Sequence, residues 1–367
     1  MPALKAIGLM SGTSLDGVDV ALLETDGESV VRAGPTGYRP YAESERALLR
    51  VALADAAALT DRAARPGSLR EVEALVTRAH GEAVETFLTS NKLASQDIAV
   101  IGFHGQTVLH RPQNRLTVQL GDGAALAKWL GIRVVFDFRA ADVVAGGQGA
   151  PLVPVFHRAL AQALDLARPL TIVNVGGVAN ITYLDSGNDP IAFDTGPGNA
   201  PIDDLVRARI GESHDRGGRL ATRGKVHEEI VARILADPYF SRRPPKSLDR
   251  AAFARLPLDS LSNEDAAATA TAVVAAGIAR SQAHLPKAPA TWIIAGGGAH
   301  NPVLVAMLGE RLRKPILRAD EIGWSSHALE AQAFAYLAVR SLKGLPITFP
   351  ATTGVPKPMT GGVLAEP

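Results

Sequence analysis

The sequence predicts a mixed α/β protein built from two related domains. Its 367 residues suffice for two domains or one large one. Short apolar runs typical of strands are interspersed with amphipathic helical segments along the chain. A strand, a turn of small residues and a second strand occur around Gly12 and again around Gly176. This recurrence has no short period, so it favours two related domains over a solenoid.

Composition excludes several functional classes. Charged residues make up 20% of the chain and the formal net charge is +1, so no basic excess indicates nucleic acid. The absence of cysteine excludes disulfides and thiolate chemistry and is consistent with a reducing compartment. No signal peptide is recognisable, and no apolar run approaches the ~20 residues of a membrane helix. We therefore expect a soluble, cytoplasmic protein that binds neither nucleic acid nor membrane.

Hydrophobic periodicity predicts where the main strands and helices lie along the chain. Strands are predicted at Lys5–Met10 and Val18–Glu24, and a helix over Ser68–Thr89 opens with a capping-box pattern. The tail, Thr348–Pro367, is predicted as loops or frayed ends. We expect a first domain over residues 1–155 and a second over 156–367, with the helix at 327–343 packing back on the first.

The segment that joins the first two strands has the character of a phosphate-binding turn. It consists of Gly12, Thr13, Ser14, Leu15, Asp16, Gly17, Val18 and Asp19. Small residues let backbone N–H groups approach an anion, and the hydroxyls of Thr13 and Ser14 can donate to phosphate. Asp16 and Asp19 suit such a site if a cation intervenes, so Mg²⁺ held through water by Asp16 is expected. The alternative is a plain polar turn.

Two further glycine turns each follow a strand. They contain Gly176 and Gly177, and Gly296, Gly297 and Gly298, the latter followed by Asn301 at a predicted helix N-terminus. Together with the first turn they could converge on one polyphosphate; the alternative is that the glycines only permit tight packing. The sequence has no G-x-x-x-x-G-K-[ST], complete G-x-G-x-x-G or G-x-S-x-G motif.

Polar residues at strand ends are candidates for the chemistry. Asp194 ends an apolar strand before a Gly-Pro-Gly loop, where a carboxylate could deprotonate water or an alcohol, or simply cap the loop. His104 and Gln106 suit a small-ligand contact or a satisfied buried pair. Arg139 could bind a carboxylate bidentately or pair with a nearby aspartate.

These segments, taken jointly, resemble the anhydro-N-acetylmuramic acid kinase family. The matching segments span most of the chain in family order: Ile7–Asp19, Phe103–Thr107, Leu120–Gly123, Asp137–Arg139, Gly146–Pro151, Asn174–Asn180, Phe193–Asn199 and Gly296–Pro302. The resemblance implies two actin/hexokinase-like (ribonuclease H-like) domains with an ATP cleft between them. It also implies a homodimer and the conversion of 1,6-anhydro-N-acetylmuramic acid, ATP and water into N-acetylmuramic acid 6-phosphate and ADP, a step of peptidoglycan recycling.

The resemblance assigns roles by motif. Gly12–Asp19 would bind the ATP phosphates with Mg²⁺, and Asp194 would be the general base. His104, Gln106, Arg139 and Glu330 would contact the sugar. One departure is that Leu248-Asp249-Arg250 stands where many members have Thr-Gly-Arg, which leaves the role of that loop open. The alternatives are another sugar kinase of this fold, or a non-enzymatic actin-like or Hsp70-like ATP switch.

Overall fold

The computed structural model describes residues 2–12 and 14–367. The chain divides into two compact units: unit 1 comprises Met1–Leu164 and Ala328–Pro367, and unit 2 comprises Asp165–His327. The boundary differs from the predicted 155/156 because the helix that begins at Pro154 packs in unit 1, where Phe156 lies 5.3 Å from the ring of Tyr336. The end of the chain also belongs to unit 1, not to the second domain as predicted.

Unit 1 contains one mixed sheet with helices on it. Its strands are β1 (Leu4–Ser11), β2 (Gly17–Thr25), β3 (Val31–Pro40), β4 (Val100–Arg111), β5 (Leu116–Leu120), β6 (Val134–Phe136) and β12 (Val363–Ala365). Its helices are α1 (Glu43–Ala56), α2 (Leu69–Ser90), α3 (Gly123–Leu130), α4 (Ala140–Val144), α5 (Pro154–Gln162), α11 (Leu329–Leu342) and α12 (Pro350–Thr353). The sheet order is β12-β6-β4-β1-β2-β3, with β5 paired to β4.

Helix α11 packs closely on the backbone of this sheet. A Cβ atom on Gly8 of β1 would lie 1.7 Å from the carbonyl oxygen of Ala331, and one on Gly102 of β4 would lie 2.0 Å from that of Phe334. Because side chains alternate along a strand, Ile7 and Leu9 point to the opposite face, where they join the core formed with α1 and α2. Glycine on one face and large apolar residues on the other thus let helices cover both faces of β1.

Unit 2 has its own mixed sheet. Its strands are β7 (Leu170–Val175), β8 (Val178–Leu184), β9 (Ile191–Pro197), β10 (Thr291–Ala295) and β11 (Ile316–Arg318), in the order β11-β10-β7-β8-β9. Its helices are α6 (Ala200–Ile210), α7 (Glu228–Leu235), α8 (Pro238–Ser241), α9 (Asn263–Arg280) and α10 (Pro302–Leu312). The core lies between the sheet and α9, whose alanine-rich surface is buried over most of its length.

The two units share one strand pattern. In each, three antiparallel strands form a meander (β1-β2-β3 and β7-β8-β9), and two later strands extend the sheet in parallel from its first strand (β4 and β6, β10 and β11). This equivalence confirms the prediction of two related α/β domains.

Two local predictions were wrong. Ser68 does not cap α2 through its side chain; its N–H and hydroxyl both donate to Oδ2 of Asp55, at 2.8 Å each. The tail is not merely loop, because β12 pairs antiparallel with β6 and covers the edge of the sheet. Within the described residues, no helix is long and apolar enough to cross a membrane.

Candidate active site

The β1–β2 turn is ordered by contacts within unit 1. The Leu15 N–H donates to the carbonyl oxygen of Gly12 at 3.3 Å, and Arg46 Nε donates to the carbonyl oxygen of Leu15 at 3.1 Å. The Ser14 hydroxyl donates to Oδ1 of Asp16 at 2.6 Å. Thr13, a predicted phosphate donor, lies outside the described residues. The described part of the turn is therefore held through the backbone of Leu15, and the side chains of Ser14 and Asp16 are exposed.

Two carboxylates act electrostatically on a third, Asp19, beside this turn. The pKa of Asp19 is raised from 3.8 to about 7, mainly by burial and then by the charges of Asp16 and Glu330. Glu330 is in the first turn of α11, the helix that packs against β1 and β2. The structure thus brings Glu330 to the aspartates of the turn, a proximity that sequence spacing could not indicate.

His104 and Arg139 form a hydrogen-bonded pair. His104 is buried, its Nδ1 lies 2.8 Å from the carbonyl oxygen of Gly105, and Arg139 Nη2 lies 3.1 Å from its Nε2. Burial, followed by the Arg139 charge, lowers the pKa of His104 to about 3. His104 is therefore neutral, accepting from Arg139 and donating to Gly105. Arg139 Nη1 also donates to the carbonyl oxygen of Gly149 at 2.8 Å.

Gln106 connects β4 to the first turn. It is 1% exposed; its Oε1 accepts from the Ser11 hydroxyl at 2.6 Å, and its Nε2 donates to the carbonyl oxygen of Gly12 at 3.2 Å. Gly105, with φ of 70°, allows the bulge that displaces Gln106 in the register with β1. Both ends of the amide are thus used in supporting the turn.

A cavity of about 260 Å³ lies beside His104 in unit 1. Its lining includes Arg62, Asp137 and Gln119. Arg62 is paired with Asp137, which has a positive φ of 56°. Gln119 Oε1 is buried and has no hydrogen-bond partner among the described atoms. An acceptor in this state suits a ligand or water that donates a hydrogen bond.

Hydrogen bonds and close contacts connect the glycine turns of unit 2. The Gly198 N–H donates to the carbonyl oxygen of Gly177 at 3.0 Å, and the Asn199 N–H donates to that of Gly176 at 2.7 Å. A Cβ atom on Gly198 would lie 2.3 Å from the carbonyl oxygen of Gly176. Asn199 Nδ2 lies 3.4 Å from the position of a Cβ atom on Gly297, so the third turn lies beside the other two.

The last turn contains Gly296, Gly297 and Gly298, and it ends at a helix N-terminus. Gly296 has φ of 76°, and a Cβ atom there would lie 2.4 Å from Asn174 Oδ1. Asn301 caps α10, its Oδ1 accepting from the N–H groups of Val303 and Leu304 at 3.1 and 3.3 Å. The predicted cap is confirmed.

Asp194 lies on β9 beside a bulge. Asp194 is opposite Asn180 and Gly196 is opposite Ala179, so Thr195 is the extra residue. The Oδ2 atom of Asp194 accepts from the Leu248 N–H at 2.7 Å, and the carbonyl oxygen of Asp194 accepts from the Tyr239 hydroxyl at 2.7 Å. The half-buried carboxylate is therefore held from one side by the segment that follows α8.

Known protein sequences match this chain along nearly its whole length. Residues 4–366 match the family model described as anhydro-N-acetylmuramic acid kinase. The chain belongs to the anhydro-N-acetylmuramic acid kinase family. Relatives of that name from Nitrobacter winogradskyi and Methylorubrum extorquens are both 58% identical, covering 99% and 100% of this chain and 100% of each relative.

A solved structure extends the comparison. The Acidaminococcus fermentans (R)-2-hydroxyglutaryl-CoA dehydratase component A is 11% identical, covers 92% of this chain and 99% of its own, and has a TM-score of 0.48. Membership of the anhydro-N-acetylmuramic acid kinase family makes the chain a kinase that uses ATP and acts on a small molecule.

Sequence reasoning missed two residues near Asp194. Tyr239 and Lys246 both make hydrogen bonds with its backbone. The signal available was the loop at Leu248-Asp249-Arg250, whose role stayed open because its partner, Asp194, lies 54 residues before Leu248. Of the other predicted residues, the structure brings Asp16, Asp19 and Glu330 together, and separately His104 and Arg139.

Proposed function

We propose that the chain hydrolytically opens 1,6-anhydro-N-acetylmuramic acid and transfers a phosphoryl group from ATP to O6. The products are N-acetylmuramic acid 6-phosphate and ADP, and the reaction serves peptidoglycan recycling in the cytoplasm. The family match over residues 4–366 supports the substrate. The observation that carries the mechanism is the Asp194 carboxylate, fixed at a bulge with Oδ2 held by a backbone N–H.

In this proposal Asp194 is the general base. Its carboxylate takes a proton from water while the water oxygen bonds to the anomeric carbon. The C1–O6 bond breaks, its electron pair goes to O6, and O6 attacks the γ-phosphorus as ADP leaves. The proton on Asp194 then returns to solvent. One base thus serves both ring opening and phosphorylation, because opening the ring creates the nucleophile.

Each unit contains groups suited to phosphate. We assign phosphate contacts to the turn of Gly12, Thr13, Ser14, Leu15, Asp16, Gly17, Val18 and Asp19 in unit 1, and to the turns containing Gly176, Gly177, Gly296, Gly297 and Gly298 in unit 2. Glycine backbones can approach an anion closely, and the N-terminus of α10 after Asn301 favours negative charge. Asn301 acts through this helix, since its side-chain oxygen is used by the cap.

The carboxylates beside the first turn fit a hydrated Mg²⁺. Asp16 is exposed, and its charge with that of Glu330 disfavours ionisation of Asp19, a conflict that a divalent cation would relieve. Mg²⁺ usually binds few protein carboxylates and keeps several waters, so Asp16 would hold it through water. When bound, Mg²⁺ would offset the charge of the phosphates.

On the sugar side, we assign His104, Gln106, Arg139 and Glu330. Neutral His104 and the Gly149 carbonyl orient the Arg139 guanidinium, whose donors suit the carboxylate of the substrate. Gln106 acts through the turn it supports. We also propose a homodimer, as the resemblance implies; sedimentation velocity at several concentrations distinguishes it from a monomer.

Coupled ADP release, with and without the anhydro sugar in Mg²⁺, tests the reaction. We expect sugar-dependent ADP and a product heavier than the anhydro sugar by one phosphoryl group (HPO3) and one water. Phosphorylation of N-acetylmuramic acid or glucosamine derivatives in preference would instead establish another sugar kinase. ADP release that ignores every sugar would contradict the kinase assignment and favour an ATP switch.

The Asp194→Asn variant tests the base. It should bind the sugar normally but turn over at least ~10²-fold more slowly, because the amide cannot accept the proton. Isothermal titration measures the binding and coupled ADP release measures the rate. A turnover near wild type would contradict the role of Asp194.

A further inference from the structure

Asp194 is fixed by more than its place in the sheet. Its N–H donates to the carbonyl oxygen of Lys246 at 3.1 Å, and its own carbonyl oxygen accepts from the Tyr239 hydroxyl. The Leu248 N–H reaches the carboxylate itself. Two backbone bonds and one side-chain bond therefore come from a single stretch of chain, residues 239–248.

Lys246 closes this set of bonds into a ring. Its ammonium group donates to the carbonyl oxygen of Tyr239 at 3.0 Å, while the Tyr239 hydroxyl donates to Asp194 and Asp194 donates back to Lys246. Each of the three residues thus donates to one of the others and accepts from another. Loss of any one bond would loosen the two remaining partners.

The ammonium group of Lys246 has an unusual environment for a lysine. The residue is 3% exposed, and Nζ lies 4.6 Å from the ring centroid of Tyr239 and 5.7 Å from that of Phe193. Burial, followed by the charges of Arg242 and Arg280, lowers its pKa to about 8, and the charge of Asp194 acts in the opposite direction. Burying a charged amine costs free energy unless the amine is hydrogen-bonded or paired. The hydrogen bond of the Lys246 ammonium group belongs to the ring of bonds that includes Asp194.

We propose that Lys246 is a positioning residue, which with Tyr239 holds the backbone of Asp194 while the Leu248 N–H orients its carboxylate. This inference rests on the proposed role of Asp194 as general base. The loop that departs from the family pattern at Leu248 thereby has a function: it fixes the base through backbone groups, which a change of side chain leaves in place.

The Lys246→Met variant keeps the apolar stem and removes the ammonium group. We expect kcat to fall by about 10-fold or more with KM for the sugar nearly unchanged, because a misplaced base slows chemistry without removing a substrate contact. The matched control is Lys287→Met at an exposed lysine paired with Asp185, which should leave kcat unchanged. Circular dichroism establishes that each variant is folded.

A second pair of variants acts on the backbone donor alone. Leu248→Pro removes the N–H that reaches Oδ2, whereas Leu248→Ala retains it. A hydrogen bond to a charged carboxylate favours the charged form, so only the proline variant should move the acid limb of the kcat/KM profile to higher pH. Tyr239 and Lys246, which interact electrostatically with Asp194, and Arg242 and Arg280, whose charges act on Lys246, remain in both variants.

The outcomes separate the inference from the proposed function. If Asp194→Asn is inactive but folded Lys246→Met matches Lys287→Met in kcat, Lys246 does not position the base. If Lys246→Met does not fold, Tyr239→Phe decides, since it removes only the hydroxyl that donates to Asp194; an unchanged kcat overturns the inference. If Asp194→Asn itself retains turnover, the proposed base is what fails.

Discussion

At the residue scale, burial and the neighbouring charges of Asp16 and Glu330 disfavour the ionised form of Asp19. With its pKa raised from 3.8 to about 7, the folded protein binds this proton more tightly than the unfolded chain does. The contribution of Asp19 to the free energy of unfolding therefore falls as pH rises from about 4 to about 7, and stays low above that range.

The Asp19→Asn variant removes this penalty. Without Mg²⁺ or nucleotide, we expect its Tm at pH 8 to exceed that of wild type by a few degrees, and the difference to shrink at pH 5. Asp16→Asn relieves only one of the charges acting on Asp19, so its rise should be smaller. Thermal melts at the two pH values measure both effects, and an equal shift at both would contradict them.

Mg²⁺ provides a second measurement on the same residue. The ion should raise the Tm of wild type more than that of Asp19→Asn, and more at pH 8 than at pH 6, because binding favours the ionised carboxylate. A Tm response independent of Asp19 would place the ion elsewhere.

At the scale of elements, the close packing of α11 on β1 leaves no room for a side chain at Gly8. Gly8→Ala would put a methyl group 1.7 Å from the carbonyl oxygen of Ala331, so the helix must move. We expect a loss of about 3 kcal/mol in the free energy of unfolding, measured with urea. Gly12→Ala is the matched control, because its Cβ atom would meet Ser14 Oγ and the Ser14 backbone nitrogen at ordinary distances of 3.6 and 4.0 Å. Equal stability of the two variants would contradict close packing at Gly8.

Elements were predictable where the signal is local. The β1–β2 hairpin and the Asn301 cap follow from apolar runs and residue types that act within a few positions. The capping box at Ser68 failed because Asp55, 13 residues earlier, takes its hydroxyl. Strand β12 was missed because three residues on a sheet edge have no readable period, and only the pairing with β6 defines them.

The candidate site also contains residues that could be predicted from the sequence and partners that could not. Residue types at strand ends, such as Asp194 and His104, could be selected from the sequence because polar groups after apolar runs are conspicuous. Their partners could not be, since Leu248 and Tyr239 reach Asp194, and Glu330 reaches Asp19, only through the fold.

For the whole molecule, buried histidines set the response to acid. Burial lowers the pKa of His80 to about 4 and those of His104 and His157 to about 3, from 6.5. Below pH 6.5 the unfolded chain binds protons that the folded protein excludes, so stability falls as pH falls toward the folded values. At pH 5 the loss is on the order of 2 kcal/mol for each histidine.

Urea unfolding at pH 7 and pH 5 checks this expectation. His80→Gln should make the decline shallower, because one of the protonating groups is gone. A decline of the same size in wild type and variant would show that other groups govern acid unfolding. The histidines destabilise the fold as pH falls, whereas Asp19 destabilises it as pH rises. His80→Gln and Asp19→Asn should therefore change the pH dependence of the free energy of unfolding in opposite directions.

The discontinuity of unit 1 has a consequence for the order of synthesis. The ribosome completes residues 165–327, and with them the whole of unit 2, before it makes the helix that covers Gly8 and Gly102. At 5–20 residues per second, that interval lasts roughly 8–30 s. Throughout it, the nascent β1 and β4 present a bare glycine-bearing face, so the first strands translated belong to the last unit completed.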